Sequence, residues 1–241
     1  MRQVEDANRA LMLLSKSLYN IVSKKINHFK EKAKDIRTAK TFDHITHPDP
    51  RIETIFYDIA QFVENSYGVP DEDLDITIIS NVAGTWEFIK QFNDNHKHRD
   101  PGELFRYGST AYESLQKGKP IFYPNKLRAS KKKLYNLGEK DTDANGNGSI
   151  YVHPVMIECE SKNGQSKMYE YLISIVTYQT PLASYKDKQE IKAAKTYLKQ
   201  FSKRIEMELC LRSIKSYISD CKKHKRKTQH ESISPREKVM L

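Results

Sequence analysis

No uninterrupted apolar run in this 241-residue chain comes near the roughly 18 residues that a membrane span requires, so a transmembrane helix is excluded. Cysteine is scarce. Cys159, Cys210 and Cys221 are odd in number and unpatterned, which excludes a disulfide framework, and the N-terminus shows no cleavable signal. A reducing, cytoplasmic compartment is the expectation. Acidic residues are outnumbered, 31 against 41 Lys and Arg, leaving a formal charge of +10. Much of the excess sits in two runs, Lys131 to Lys133 and Lys222 to Lys227. The second opens a polar C-terminal stretch with little to bury, and it reads as a basic disordered tail over 222–241. A nucleic-acid-binding protein using this tail is the alternative function. A solvated run at a helix end is the preferred reading of it.

What is present organises into alternating periods. Leu11, Leu14, Leu18, Ile21, Val22, Ile26 and Phe29 recur three or four apart and predict an amphipathic helix over about 5–37, within an N-terminal segment 1–47. Pro48 and Pro50 interrupt it, with Asp49 as a candidate cap for a second helix that carries Ile52, Ile55, Phe56, Ile59 and Phe62 and stops near Gly68. Ile76 to Val82 and Thr85 to Asn93 read as two antiparallel strands around Ala83-Gly84. Ser109 and Gly118 bracket a short helix, and a strand ends at Pro124. Residues 125–148 hold few apolar side chains and read as a long mobile excursion. A second hairpin follows, then a closing helix with Ile191, Ala194, Leu198, Phe201, Ile205 and Leu209 on its seam. The fold class is α+β: a central antiparallel sheet of about five to six strands, helices on one face, and long N- and C-terminal amphipathic helices. The expected domain spans 48–221.

Three stretches invite a metal and none completes one. In "DTDANGNGS", Asp141, Asp143, Asn145 and Gly146 stand where the ligands and turn glycine of a calcium loop would stand. The position that needs a bidentate acid is Val152, and a strand follows at once. A turn using Asn-Gly and Asp for positive φ accounts for it. His44 and His47, and His96 and His98, form pairs with no nearby cysteine, so no zinc site is expected. Cys159, between Glu158 and Glu160, and Cys210, among apolar neighbours, read as packing residues rather than nucleophiles. No acid, base and nucleophile set converges, and neither catalysis nor a cofactor is expected.

"GSTAYESLQKGKPIFYPN", "GSIYVHPVMIE" and "PLASYKDKQEIKAAKTYLKQFSKRIEME" resemble three segments of the GAF domains, sensor modules related in shape to PAS domains. The resemblance covers about Arg51 to Glu208. It implies that residues 125–148 fold over one sheet face as the lid of a ligand pocket. Sheet residues facing that lid would line the pocket, the candidates being Trp86, Phe88, Phe122, Tyr151, His153, Tyr169, Tyr171 and Tyr178. Lys126, Arg128 and Lys131 would be a candidate anion-binding group on the lid. The lid cysteines of GAF relatives that reduce methionine sulfoxide are absent here, as is the cysteine through which others attach bilin. The motif of the cyclic-nucleotide-binding relatives is incomplete. The implied function is a GAF-like sensor or regulatory domain, binding a small molecule or an effector protein and signalling through a homodimeric helical bundle.

Overall fold

The computed structural model describes residues 11–22, 24–25, 46–82, 84–92, 100–105, 108–160 and 166–233, with side chains described as far as Cys221 except for Val82. Helix α1 covers 11–22. Helix α2 (Pro48–Tyr67) leads through a 3-10 turn (Asp71–Asp73) into β1 (Leu74–Val82) and β2 (Thr85–Phe92). Two short helices, α3 (Pro101–Leu104) and α4 (Thr110–Lys117), precede β3 (Ile121–Tyr123). Helices α5 (Lys126–Lys131) and α6 (Glu139–Asp143) separate β3 from β4 (Ile150–Glu160); β5 (Ser166–Thr177) and α7 (Lys188–Ile233) complete the chain. The strands form one antiparallel sheet in the order β2-β1-β5-β4-β3. The fold is α+β, with one five-stranded antiparallel sheet.

The long helices share one sheet face. Ile52, Ile55, Phe56, Ile59 and Phe62 of α2 are buried against Leu198, Phe201, Ile205 and Leu209 of α7 and the sheet residues Ile76, Ile78, Ile173 and Ile175. Phe62 sits at the centre of this layer, its ring 5.3 Å from Phe201 and 5.6 Å from Tyr197. Leu14 and Ile21 of α1 join the same core, while Leu11 turns outward, as do Met12 and Tyr19. Lys24 pairs with Asp58 on α2, and Lys25 with Glu208 on α7. The predicted seam positions Ile26 and Phe29 lie outside the described residues.

Several boundaries depart from the sequence expectation for identifiable reasons. Helix α2 begins at Pro48 rather than after Pro50, because both prolines fall in the first turn, where backbone N–H groups have no helical partner to lose. Asp49 therefore does not cap it; the carboxylate pairs with Arg212. Gly68, at φ 67°, closes the helix by donating its N–H to Glu64 O. Helix α7 runs on to Ile233, into the segment expected to be a disordered tail. Residues 125–148, expected to be mobile, instead fold as α5 and α6 on the sheet face opposite the long helices.

Gly148 makes that second face possible. Its N–H donates to Tyr178 O at 2.7 Å, and its carbonyl accepts from Lys126 N at 3.0 Å, so the end of the excursion lies directly on the exit of β5. A Cβ at this position would stand 1.8 Å from Thr177 O. Gly148→Ala is expected to cost roughly 3 kcal/mol or more, because backbone rather than a flexible side chain must move. Gly84→Ala, where a Cβ meets open space and only φ of +89° is strained, should cost about 1 kcal/mol. Urea unfolding of both variants checks the contrast; equal losses would contradict the close approach.

Candidate functional site

Alternate strand residues point to opposite faces, so the face away from α2 and α7 carries Ile79, Ile150, Val152, Leu172 and Ser174. Helix α4 seals part of it. Ser109 caps α4 by accepting from Tyr112 N at 3.0 Å, and Gly118, at φ 57°, ends it. Thr110 Oγ1 donates to Leu134 O at 2.8 Å, drawing the stretch after α5 over the sheet. Beneath lies a cavity of about 60 Å³ with a floor of Ile79, Val152 and Leu172. Ser109, Thr110, Tyr135, Asn136, Ser174 and Glu103 supply its polar lining. That volume is on the order of two waters at about 30 Å³ each, well short of the roughly 300 Å³ of a drug-sized ligand site. Trp86 stacks on Phe105 beside it, with ring centroids 3.9 Å apart.

The lid is held to the sheet by buried charge. Lys126, at 0% exposure, forms an ion pair with Asp141, at 3%. Asp141 Oδ2 also accepts from Tyr135 Oη and from Gly138 N, each at 2.8 Å, the second bond capping α6. Lys126 Nζ and Lys140 Nζ each lie 4.0 Å from the centroid of the Tyr178 ring. Tyr178 donates its hydroxyl to Asp75, which Lys140 approaches at 4.0 Å. Asp73 accepts from the N–H groups of Gln179 and Thr180 and so fixes the turn after β5. Burial lowers the Lys126 pKa despite the opposing pull of Asp141, Asp73 and Asp75, so desolvation outweighs the attraction. Burial likewise lowers that of Lys140. Burial, then the Asp75 carboxylate, push the Tyr178 phenol far above its ordinary value.

The structure divides the sequence candidates among three places. Trp86 and Phe88 lie on the lid face. Phe122, Tyr151, His153, Tyr169 and Tyr171 lie on the opposite face, packed towards α7, and do not line the lid-side cavity. The physical reason is strand parity: Phe122 pairs with Tyr151, and His153 and Tyr151 with Ile173 and Ile175, all on the helix side. Tyr178 belongs to the charge cluster. Of the anion-binding candidates, Lys126 is consumed by Asp141, while Arg128 and Lys131 are exposed on α5. Asp141, the first residue of the calcium-like stretch, faces Lys126. His44, His96 and His98 lie outside the described residues, among which no group of three His, Cys, Asp or Glu gathers to hold a metal. Burial raises the Cys159 thiol, and Lys167 opposes it; the flanking glutamates are not the cause. Burial, followed by Glu206, raises Cys210.

Asp73, Asp75, Tyr135 and Lys140 are central to the site and were not singled out by the sequence. Their one local sign is "DEDLD", acidic residues leading into a strand whose Leu74 and Ile76 are fully buried.

No known family profile matches the chain, and no curated protein matches it. Among solved structures, the GAF domain of a two-component sensor histidine kinase from Bacillus halodurans is similar at 17% identity and a TM-score of 0.41, covering 68% of this chain and 96% of that one.

Two outcomes are expected. Lys126→Met strands a buried carboxylate and should cost roughly 3–5 kcal/mol, whereas the double variant Lys126→Met, Asp141→Leu should recover much of the loss. A urea-based double-mutant cycle measures this, and additive losses would refute the coupling. On the helix face, His153 has Nε2 3.1 Å from Glu206 Oε2, and burial holds its pKa below the ordinary value, with Lys203 and Lys199 acting in the same direction. The unfolded chain therefore takes up this proton first as pH falls. The resulting stability is full above about pH 6.5 and declines as pH drops through the window between the unfolded and folded values. His153→Gln should flatten that part of the stability profile between pH 7.5 and 5.5; an unchanged slope would rule it out.

Proposed function

We propose that this chain is a GAF-like sensor or regulatory module that takes a small ligand in the lid-face cavity and acts as a homodimer, without chemistry of its own. The observation that carries the reading is the cavity itself. It lies on the sheet face that the long helices leave free, with an apolar floor and a polar lining. The apolar floor suits the body of a small neutral molecule, and the Ser109, Thr110 and Tyr135 hydroxyls, which donate to Leu104, Leu134 and Asp141, retain acceptor capacity for it. At about 60 Å³ the cavity is too small for a larger ligand, which enters only by displacing the lid.

A displacement there has a route outward. The lid grips Tyr178, Asp73 fixes the turn that follows Tyr178, and Asp187 caps α7 by accepting from Gln189 N and Glu190 N. Helix α7 is 46 residues long, roughly 70 Å at 1.5 Å per residue. It carries exposed Met207, Ile214 and Ile218, while α1 exposes Leu11, Met12 and Tyr19. Apolar groups left open on two helices support pairing with a second copy.

Native mass spectrometry of the purified chain, mixed with a metabolite extract, tests this reading. The expected spectrum under gentle conditions is a dimer with an added mass that is lost on denaturation. Ala111→Leu, which fills the cavity, should reduce that added mass while leaving the dimer. A monomer of bare mass would overturn the proposal.

A further inference from the structure

A second concavity, of about 160 Å³, opens beside α5, away from the lid-face cavity. Tyr123, Pro124, Ala129, Leu134 and Tyr185 form its apolar walls, and Arg128 and Lys132 also line it. The Arg128 guanidinium lies 4.2 Å from the centroid of the exposed Tyr185 ring, and Lys186 Nζ lies 5.7 Å from the same ring. A guanidinium stacked on a ring is held in orientation while the N–H groups on its edge stay free, which is the geometry that recognises a carboxylate through two hydrogen bonds.

The surroundings are basic. Lys131, Lys132 and Lys133 are exposed next to Arg128 in the chain, and among the described residues none of these four cations is ion-paired. The neighbouring acids are committed elsewhere: Glu113 to Lys117 and the Tyr123 hydroxyl, Glu190 to Ser184 N, and Asp187 to the α7 cap. The platform is also rigid. Asn125 Oδ1 accepts from Arg128 N at 2.8 Å, and the first residue of α5 is the buried Lys126.

We infer that this pocket docks an acidic segment of a partner protein, one aromatic side chain entering the pocket and flanking carboxylates meeting Arg128 and the lysine run. The volume admits one such side chain and little more, and the unpaired charge is of a single sign, which selects an acidic partner. The site is separate from the lid-face cavity, so it stands or falls independently of ligand sensing.

Fluorescence anisotropy of the full chain with a labelled Asp/Glu-rich peptide carrying one central Phe tests it. Arg128→Glu and Tyr185→Ala should each weaken binding at least about tenfold. Lys195→Glu, the same charge change at an exposed position on α7, should not. Both pocket residues are exposed, so the variants should keep the wild-type melting temperature; if Tyr185→Ala does not, Arg128→Glu decides. Any of these results would overturn the inference: no binding by wild type, equal weakening by Lys195→Glu, or undiminished binding when Phe is replaced by Ala. Tighter binding of a short DNA duplex that Arg128→Glu abolishes would overturn it in favour of nucleic acid.

Discussion

A lysine ammonium with no exposure to water is the constraint around which this molecule is arranged. An unpaired charge in such a place is costly enough that the fold must bring a carboxylate to it or leave it neutral. Asp141 supplies that carboxylate, but the pair alone does not restore Lys126 to its ordinary pKa. The remaining compensation is distributed. Tyr178 offers its ring to Lys126, while Tyr135 and Gly138 hold Asp141 in position. Helices α5 and α6, the start of β1 and the exit of β5 are all needed for the full set, because Tyr178 in turn donates to Asp75 and Lys140 approaches the same carboxylate. The excursion is therefore part of the folded unit.

This arrangement divides the sheet into unlike halves. The helix face is packed by branched and aromatic side chains, and two of its polar members are paired: His153 with Glu206, and Tyr171 with Ser213 at 2.8 Å. The lid face buries fewer apolar side chains and adds hydroxyls and an amide around a small void. A change in the first face means breaking close packing, whereas a change in the second means moving two short helices. The readily altered half is the one that grips Tyr178, and Tyr178 leads directly into the turn that α7 follows. On the proposed function, the ligand-binding face and the long helix α7 are thus joined by a short length of chain.

Local rules made much of the architecture legible. The three-and-four spacing of α2 and α7 predicts their buried faces because a helix repeats its environment on that period, and Ser109 with Gly118 marks α4 because each supplies a cap chemistry few residues offer. The two hairpins are equally local. The faces of the strands were not legible. Tyr151, His153 and Tyr171 have the composition of a ligand wall, and only pairing with Ile173, Ile175 and Val155 shows that they face α7. A bulge compounds this on β2: register shifts where Ile78 opposes Lys90 and Ile79 opposes Phe88, so Phe88 and Lys90 face opposite sides although both are even-numbered.

The excursion shows why polar composition is a poor guide to order. A segment with few apolar residues is expected to be mobile because it cannot bury enough surface to offset chain entropy. Residues 125–148 meet that description and are nevertheless organised, since their stabilisation comes from matched charge and backbone bonding. Asp141 belongs to an oxygen-rich stretch that resembles a cation loop, and it does receive a cation: the ammonium of Lys126 from the same excursion. Asn145 and Gly146, at φ 54° and 65°, turn the chain so that Gly146 accepts from Leu127 N and Gly148 reaches the end of β5. The features that suggested a metal site thus serve to close the lid on itself and onto the sheet. An acidic turn facing a nearby lysine-rich turn is better tested first as an internal ion pair, because the protein's own cation is always present at high effective concentration.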